Sequence, residues 1–271
     1  MNNAIFPRPT LAVIAHTPVS MVAIFKKSIK IMSAVVLLSC SMIGYAETIV
    51  DIQYIDRAPV IDGKIDQQWQ ATPWFPMDNL ILGELPREKD FSGSFKLRWD
   101  EEYLYLMAKI RDDVLADAYP DPKVHYWDDD SLEIFLDPDG SGGDHLYSYN
   151  AFAYHLALDG NAVDLGDKPG DILLLNDHVE NKWARSPTEP HEIVWEAKIK
   201  FYSDDLAQRG DQSRMPLSED HVFGFMLAYC DADGKGRREH FVGSQAITPI
   251  NGDKDLGYKT ADVFTKMRLV K

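Results

Sequence analysis

Apolar and polar residues alternate with a period of two in several short stretches of the chain. Residues 95–99 alternate large apolar with basic side chains, and the alternation resumes at residues 104–110 after an acidic turn at residues 100–102. Successive side chains of a β-strand point to opposite faces, so the pattern predicts a hairpin with one face on a hydrophobic core. A chain patterned in this way is constrained to fold as sheets packed on each other.

Similar stretches recur along the chain, and helical periodicity is confined to residues 65–71 and 203–208. The additional strands predicted in this way are residues 132–136, 147–152, 194–201, 223–229 and 263–270. An Asp-Pro-Asp-Gly turn signal directly follows the first of them. Many short strands joined by polar loops predict an all-β fold, an antiparallel, jelly-roll-like β-sandwich with one or two short helices.

The first 46 residues have the features of a secretory signal peptide. Basic residues at 26–30 precede an apolar run at 31–38, and Gly44 and Ala46 place small residues before a cleavage point at Glu47. Met21 is an alternative translation start that would give a signal of ordinary length. We therefore expect an exported protein whose residues 47–271 form one domain. No membrane span is expected, because no apolar stretch reaches the required length of about 20 residues.

Cys40 offers a second interpretation of the leader. Residues 37–40 resemble a bacterial lipobox, in which the cysteine becomes the lipidated first residue of the mature protein. If cleavage follows Ala46 instead, Cys230 is the only cysteine left, and no internal disulfide can form. Either route predicts a periplasmic, cell-surface or extracellular protein.

The charge of the chain excludes several partners. Lys and Arg number 28 against 43 Asp and Glu, which gives a formal net charge of −15, and no acidic residue lies in the first 46 positions. An acidic surface repels nucleic acid and anionic membranes. We therefore expect a neutral polymer or a cation as the partner, and no nucleic acid.

Four separated blocks of sequence carry a family resemblance. They are APVIDGKID at residues 58–66, LRWDEEYLY at 97–105, WDDDSLEIFLD at 127–137, and a Gly-Phe pair leading to Asp-Ala-Asp at 224–233. Their content and order resemble the family 9 carbohydrate-binding modules. The resemblance implies a non-catalytic domain that binds an oligosaccharide or polysaccharide, with glycoside hydrolases as neighbours in polysaccharide degradation.

In that family, as the resemblance implies, a sugar chain end lies between two tryptophans and is hydrogen-bonded by polar side chains. Trp127 matches the first tryptophan, whose indole face can stack on a pyranose ring. Glu133 matches the family's carboxylate, which accepts charge-assisted hydrogen bonds from sugar hydroxyls. Asn150 matches the family's asparagine. These three residues form the predicted carbohydrate site.

Three positions depart from the family pattern. Ser148 stands where an arginine is expected, Ala228 where a glutamine is expected, and Ser244 near the second tryptophan. The aromatic residues that could supply a replacement stacking face are Phe241, Tyr229 and Tyr258. An alternative is that the chain is a structural relative that has lost its ligand.

Acidic residues suggest bound calcium, which is also common in the family, because carboxylates are hard oxygen ligands. The predicted ligands are Asp137, Asp139 and Asp144, at the turn after the diagnostic block. A proline at the second position, and no glutamate at the twelfth, exclude an EF-hand. Further acidic groups stand at residues 112–113, 128–130 and 231–233.

Other functions leave less trace in the sequence. No nucleophile elbow, zinc-ligand spacing or phosphate-binding glycine loop is present, and no carboxylate pair stands out for glycoside hydrolysis. A related sandwich binds haem non-covalently, so a haem-binding electron-transfer subunit is an alternative. Its candidate ligands are Met107, Met215, Met226, His125 and His145. With the carbohydrate-binding interpretation, no organic cofactor is expected.

Overall fold

The structure, a computed structural model, describes residues 48–234 and 236–271. The expectations for residues 1–46, including Cys40, lie outside these residues, and the domain boundary at residue 47 stays a prediction. No helix in the described part of the chain is both long enough and apolar enough to cross a membrane.

The described chain is built almost entirely from strands. The strands are β1 Val50–Gln53, β2 Phe75–Met77, β3 Asn79–Leu82, β4 Phe91–Trp99, β5 Leu104–Asp112, β6 Ser131–Asp137, β7 Phe152–Ala157, β8 Ala162–Leu165, β9 Ile172–Leu174, β10 Val179–Arg185, β11 Glu192–Ile199, β12 Phe201–Tyr202, β13 Arg214–Met215, β14 Val222–Asp231, β15 His240–Gly243 and β16 Thr265–Val270. The helices are α1 Leu206–Arg209 and the 3-10 turns Gln67–Trp69, Gly210–Ser213 and Ala261–Val263.

Two sheets pack face to face. The larger sheet has the strand order β1-β16-β14-β6-β7-β8-β9, with β15 on the end of β14 and β3 on β15. The smaller sheet has the order β10-β11-β5-β4-β2. All of these pairs are antiparallel except β1 with β16, which is parallel. The prediction of an all-β antiparallel sandwich is confirmed.

The period-two pattern decides which side chains form the core. On β4, Phe95, Leu97 and Trp99 face inward, and on β6 Leu132 and Ile134 do the same; all five are buried. Burying each such side chain contributes about 1.5–3 kcal/mol. The residues between them necessarily point away from the core, and on β6 this places Glu133 on the outer face of the larger sheet.

Most strand predictions are confirmed, but the strand predicted at residues 147–152 is wrong. The strand β7 begins only at Phe152, and a turn precedes it, because Tyr147 adopts a positive φ of 60° and the Ser148 N–H donates to the His145 carbonyl. The helix predicted at residues 65–71 is a single 3-10 turn, Gln67–Trp69.

The helix predicted at residues 203–208 is also short, since only Leu206–Arg209 is helical. The tryptophans that lie inside the strong structural patterns are fully buried, namely Trp69, Trp99 and Trp195.

Candidate functional site

A cleft of about 410 Å³ opens on the outer face of the larger sheet. Its floor comes from β6 and β7, where Glu133 pairs with His155 across the strand register. The aromatic residues that line it are Tyr126, Trp127, Tyr147 and Tyr258, and the charged or titratable ones are Glu133, His155, Asp164, Arg238 and Asp255. An aromatic wall above polar groups is the usual composition of a small-molecule site.

Glu133 is the most firmly held group on the cleft floor. Its Oε1 lies 2.7 Å from Nε2 of His155, accepts a hydrogen bond from Sγ of Cys230 at 2.8 Å, and lies 3.6 Å from Nη1 of Arg238. Burial alone would raise the pKa of Glu133, but the charges of His155 and Arg238 outweigh it and hold the pKa below its usual value. Glu133 is therefore an ionised carboxylate.

The two oxygens of Glu133 have different surroundings. Within residues 48–234 and 236–271, every hydrogen bond to this carboxylate reaches Oε1. Its Oε2 is therefore the oxygen that can accept a hydrogen bond from a ligand in the cleft. Because Oε1 is anchored from below, a ligand would meet a pre-oriented acceptor.

Arg238 lies between two carboxylates of the cleft. Its Nη2 donates to Oδ2 of Asp255 at 2.8 Å, its Nη1 faces Glu133, and its guanidinium packs 4.2 Å from the centre of the Phe241 ring. Only 10% of the side chain is exposed. The buried guanidinium thus offsets part of the negative charge of Glu133 and Asp255. A polar floor without an excess of positive charge suits an uncharged, hydroxyl-rich ligand.

Trp127 forms part of the cleft wall just before β6. Its indole is 40% exposed, and the ring of Tyr126 meets it edge-on with the centroids 5.0 Å apart. Tyr126 in turn stands edge-on against His155 at 4.7 Å. This chain of ring contacts supports Trp127 from the floor upward, so its exposed surface is available for stacking at little entropic cost.

The structure does not bring Asn150 to this cleft. Its Nδ2 donates to the Gly142 carbonyl at 2.7 Å, and its Oδ1 accepts from Oγ of Ser141 at 3.4 Å, so it closes the turn after β6. Of the three residues predicted from the sequence, Trp127 and Glu133 share the cleft, whereas Asn150 has a structural role in the turn.

The candidates for a replacement aromatic face are also separated. Tyr258 lines the cleft, but Tyr229 is buried in the core and donates to Oδ2 of Asp112 at 2.7 Å. Phe241 lies beneath Arg238. Ser244, near the expected second tryptophan, accepts a hydrogen bond from the Leu227 N–H.

Several cleft residues were not identified from the sequence. His155 lies opposite Glu133 in the register of β6 with β7. With the correct start of β7, the sequence would have placed His155 on the same face of the sheet as Glu133. Arg238 belongs to a loop without periodicity, and its backbone N–H donates to Asp128, which is 110 positions away along the chain. No local pattern predicts that contact.

Asp164 gives the cleft a titration near neutral pH. Both of its oxygens accept backbone hydrogen bonds, Oδ2 from Ala153 at 2.8 Å and Oδ1 from Leu165 at 2.7 Å. Burial, with a smaller contribution from the charge of Glu133, raises the pKa of Asp164 to about 7.

Asp164 has a higher pKa in the folded than in the unfolded protein, so the folded state binds the proton more tightly. This preference stabilises the fold at low pH and is lost as the group ionises. We expect the free energy of unfolding to fall as pH rises from about 4 to about 7, by at most about 4 kcal/mol from this group, and then to level off. Urea denaturation of wild type and Asp164→Asn across this range measures the effect as the difference between the curves. This comparison separates Asp164 from His178, whose lowered pKa of about 4 acts in the opposite direction. Parallel curves would contradict the assignment.

The acidic residues predicted to bind calcium are only partly brought together. Asp137 accepts from the Gly142 N–H at 2.8 Å and lies 3.4 Å from Nζ of Lys266, while its Oδ1 is buried without a hydrogen bond from any described residue. Asp139 accepts from the Ser141 N–H in the same turn. Asp144 is exposed.

A second acidic group is more concentrated. Carboxylate oxygens of Asp112, Asp130 and Asp231 all lie within 4.8 Å of one another, and all three residues are buried. Burial, then mutual repulsion, raises the pKa of Asp130 to about 9 and that of Asp231 to about 8. Three oxygen donors packed this closely have the chemistry of a site for a hard divalent cation.

The candidate haem ligands do not share one site in the described chain. Met107 lies in a cluster with Trp69 and Tyr105, whereas Met226 lies in a different cluster with Phe264. Met215 packs at the edge of the main core. Of the two histidines, His145 faces the Gly257 carbonyl at 2.8 Å, and His125 stacks on Tyr119 near the cleft.

Residues 61–271 match the family described as carbohydrate family 9 binding domain-like. Endo-1,4-beta-xylanase A of Thermotoga maritima is 38% identical over 213 residues, which are 79% of this chain and 17% of that protein. Exoglucanase XynX of Acetivibrio thermocellus is 33% identical over 184 residues, 68% of this chain and 14% of that protein. The chain thus spans less than a fifth of either relative.

Solved structures share the fold. A carbohydrate binding module family 9 from Caldicellulosiruptor kristjanssonii, in complex with glucose, gives a TM-score of 0.60 at 20% identity and covers 82% of this chain and 95% of its own. The complex with cellotriose gives a TM-score of 0.60 at 19% identity, with 82% and 94% covered.

Proposed function

Since the chain belongs to the carbohydrate family 9 binding domain-like family, we propose that it binds a neutral sugar chain or chain end in the Trp127 cleft without cleaving it. One observation carries the proposal: the exposed indole of Trp127 and the ionised Glu133 line the same cleft. Stacking and hydrogen bonding are the two interactions that a pyranose offers, through its C–H face and its hydroxyls.

A binding role explains the carboxylates of the cleft better than catalysis does. Glycoside hydrolysis needs one carboxylic acid that delivers a proton and a second carboxylate on the other side of the bond. Asp164 has the raised pKa of an acid, but backbone N–H groups occupy both of its oxygens. Glu133 is fixed as the charged form. Burial also raises the pKa of Asp255, but its Oδ2 accepts a hydrogen bond from Arg238. Each carboxyl group of the cleft thus already has partners among the described residues, which supports sugar binding over cleavage.

Titration of residues 47–271 with xylotriose and cellotriose tests this function. We expect saturable binding by calorimetry and a sugar-dependent change in tryptophan fluorescence, without release of new reducing ends. The relatives are named as a xylanase and an exoglucanase, which makes these two oligosaccharides the first choice. No binding to any neutral glycan would favour the alternative of a domain that has lost its ligand.

Export is the second part of the proposal. The basic, apolar and small-residue segments of residues 26–46 support a cleaved leader, and a sugar-binding domain outside the cell would meet polysaccharide there. Glycoside hydrolases are the expected neighbours, because a protein that binds their polysaccharide substrate would keep it close to them. Mass spectrometry of the protein isolated from its native host distinguishes an N-terminus at Glu47 from a lipidated Cys40.

We also propose bound calcium, held by Asp112, Asp130 and Asp231. Their carboxylates fit the ion better than the turn of Asp137 and Asp139, where the ammonium of Lys266 already neutralises one carboxylate. Burial and mutual repulsion favour the protonated forms of Asp130 and Asp231. Calcium would displace these protons and compensate the carboxylates that form, so its contribution is to stability.

Calcium at about one hundred times its dissociation constant should raise the free energy of unfolding by about 2.7 kcal/mol. Thermal denaturation in calcium and in chelator measures this. Asp130→Asn should abolish the difference between the two conditions, and Asp139→Asn, as the control, should keep it. Equal melting temperatures for wild type with and without calcium would contradict the proposal.

A further inference from the structure

A second groove lies on the opposite side of the sandwich from the Trp127 cleft. It runs over the outer face of the smaller sheet and has a volume of about 340 Å³. The inward positions of β4 and β5, such as Phe95 and Ile110, face the core, so their neighbours Ser94, Lys109 and Arg111 face this groove. Hydroxyl and cationic groups, not apolar ones, therefore form most of its floor.

Trp74 forms the wall of this groove and is 41% exposed. One side of its indole packs on the ammonium of Lys96, which lies 4.4 Å from the ring centre. Lys96 is itself only 5% exposed, and its Nζ donates to the Trp69 carbonyl at 2.7 Å. Nζ of Lys109 lies over the same ring, 5.7 Å from its centre. The two lysines hold the ring in place, and its exposed indole surface borders the groove.

The groove carries positive charge in an otherwise acidic protein. Lys109 is compensated, because its Nζ lies 2.7 Å from Oε2 of Glu192. Arg111 pairs in strand register with Ser92 on one side and Glu192 on the other, yet it forms no ion pair with any residue of the described ranges. The Lys96 ammonium adds a second positive charge beneath Trp74. A chain with a net charge of −15 thus presents here a guanidinium that is free to bind an anion.

The planar guanidinium of arginine binds a carboxylate through two parallel hydrogen bonds. An indole face next to it can stack on a pyranose ring. A sugar that carries a carboxylate satisfies both groups at once, and the Ser92 and Ser94 hydroxyls can bond to its remaining oxygens.

We propose that the Trp74 groove is a second saccharide site, and that it takes a uronic acid residue with its carboxylate on Arg111. The inference rests on the proposed function only in treating the chain as a sugar-binding domain. The two sites differ in charge. The Trp127 cleft holds three carboxyl groups, which disfavour an acidic ligand, and takes a neutral sugar, whereas the Trp74 groove takes an acidic one. A polysaccharide with acidic substituents on a neutral backbone offers both ligands.

Calorimetric titration with trigalacturonate and, separately, with xylotriose tests the second site. We expect Arg111→Gln and Trp74→Ala each to weaken trigalacturonate binding about tenfold or more, without affecting xylotriose binding. Trp127→Ala should have the opposite pattern. Arg111→Lys should bind trigalacturonate more tightly than Arg111→Gln but less tightly than wild type, because lysine keeps the charge and lacks the two parallel N–H donors of the guanidinium. Added salt should weaken binding to the acidic sugar.

Circular dichroism and melting temperature establish that each variant is folded. Saturable trigalacturonate binding that persists in Arg111→Gln but is lost in Trp127→Ala would overturn the proposal, since the acidic sugar would then occupy the cleft. Absence of trigalacturonate binding to the folded wild type would overturn it as well. If xylotriose does not bind but trigalacturonate does, with the expected variant pattern, the neutral-sugar function fails and the second site stands.

Discussion

Replacing Trp127 with alanine is expected to weaken binding of xylotriose or cellotriose by about thirtyfold or more. The indole is the large, exposed aromatic surface of the cleft wall, and aromatic residues at the centre of a binding surface typically contribute about 2 kcal/mol or more. Tyr126 already holds the Trp127 ring in place before a sugar binds. Binding therefore costs little side-chain entropy, and the substitution removes stacking area without a compensating entropic gain. Calorimetry of the folded variant gives the change directly.

The chain supplies a matched control for this substitution. Trp74 is 41% exposed against 40% for Trp127, but it precedes β2 and lines the groove over the smaller sheet. Trp74→Ala should therefore leave the affinity for neutral oligosaccharides unchanged. Unaltered affinity in Trp127→Ala would show that the stacking surface is one of the tyrosines at the cleft, which are Tyr126, Tyr147 and Tyr258.

The second large effect concerns stability. Arg238→Ala should lower the free energy of unfolding by about 3–5 kcal/mol, because it removes the cation shared by buried Glu133 and half-buried Asp255 and leaves Glu133 with His155 alone. The cost of an unpaired buried charge exceeds the value of the pair itself, so the effect is larger than that of a typical salt bridge. Chemical denaturation at neutral pH measures it.

Arg209→Ala is the control for this loss. Arg209 pairs with Asp205 at 2.9 Å, but 54% of its side chain is exposed, and pairs of this kind contribute about 0–1 kcal/mol. Asp255→Asn in the Arg238→Ala background should restore part of the stability, since one of the stranded charges is removed. A loss below about 1 kcal/mol for Arg238→Ala would show that water reaches the carboxylates.

The sequence predicted the fold well where alternation is strict. The hairpin of β4 and β5 and the strand β6 combine alternation with clear turns, and these are the strands that pack the two sheets together. Tyr147 and Tyr149 alternate with polar residues as in a strand, but the Ser148 N–H bonds to the His145 carbonyl in a turn. The strand β7 therefore begins only at Phe152. Alternation indicates the tendency to form a strand and not where the strand starts.

The site was less predictable because its parts come from distant segments. Trp127 and Glu133 belong to one contiguous block, and the sequence places both of them in the cleft. Arg238 meets Glu133 only through the packing of a loop across β6 and β14, and no spacing along the chain encodes that contact. Tertiary structure decides which polar residues lie in the cleft. Asn150 has the residue type expected at its position, but in the structure it closes the turn after β6.

The parallel pairing of β1 with β16 sets how the domain responds to mechanical force. Val50 lies beside Met267 and Gln53 beside Val270, so the chain enters at one end of the pair and leaves at the other. A force that pulls the two ends of the domain apart drags these neighbouring strands past each other along their length. It loads their hydrogen bonds together instead of opening them one after another. Resistance to extension is therefore expected at this edge of the larger sheet.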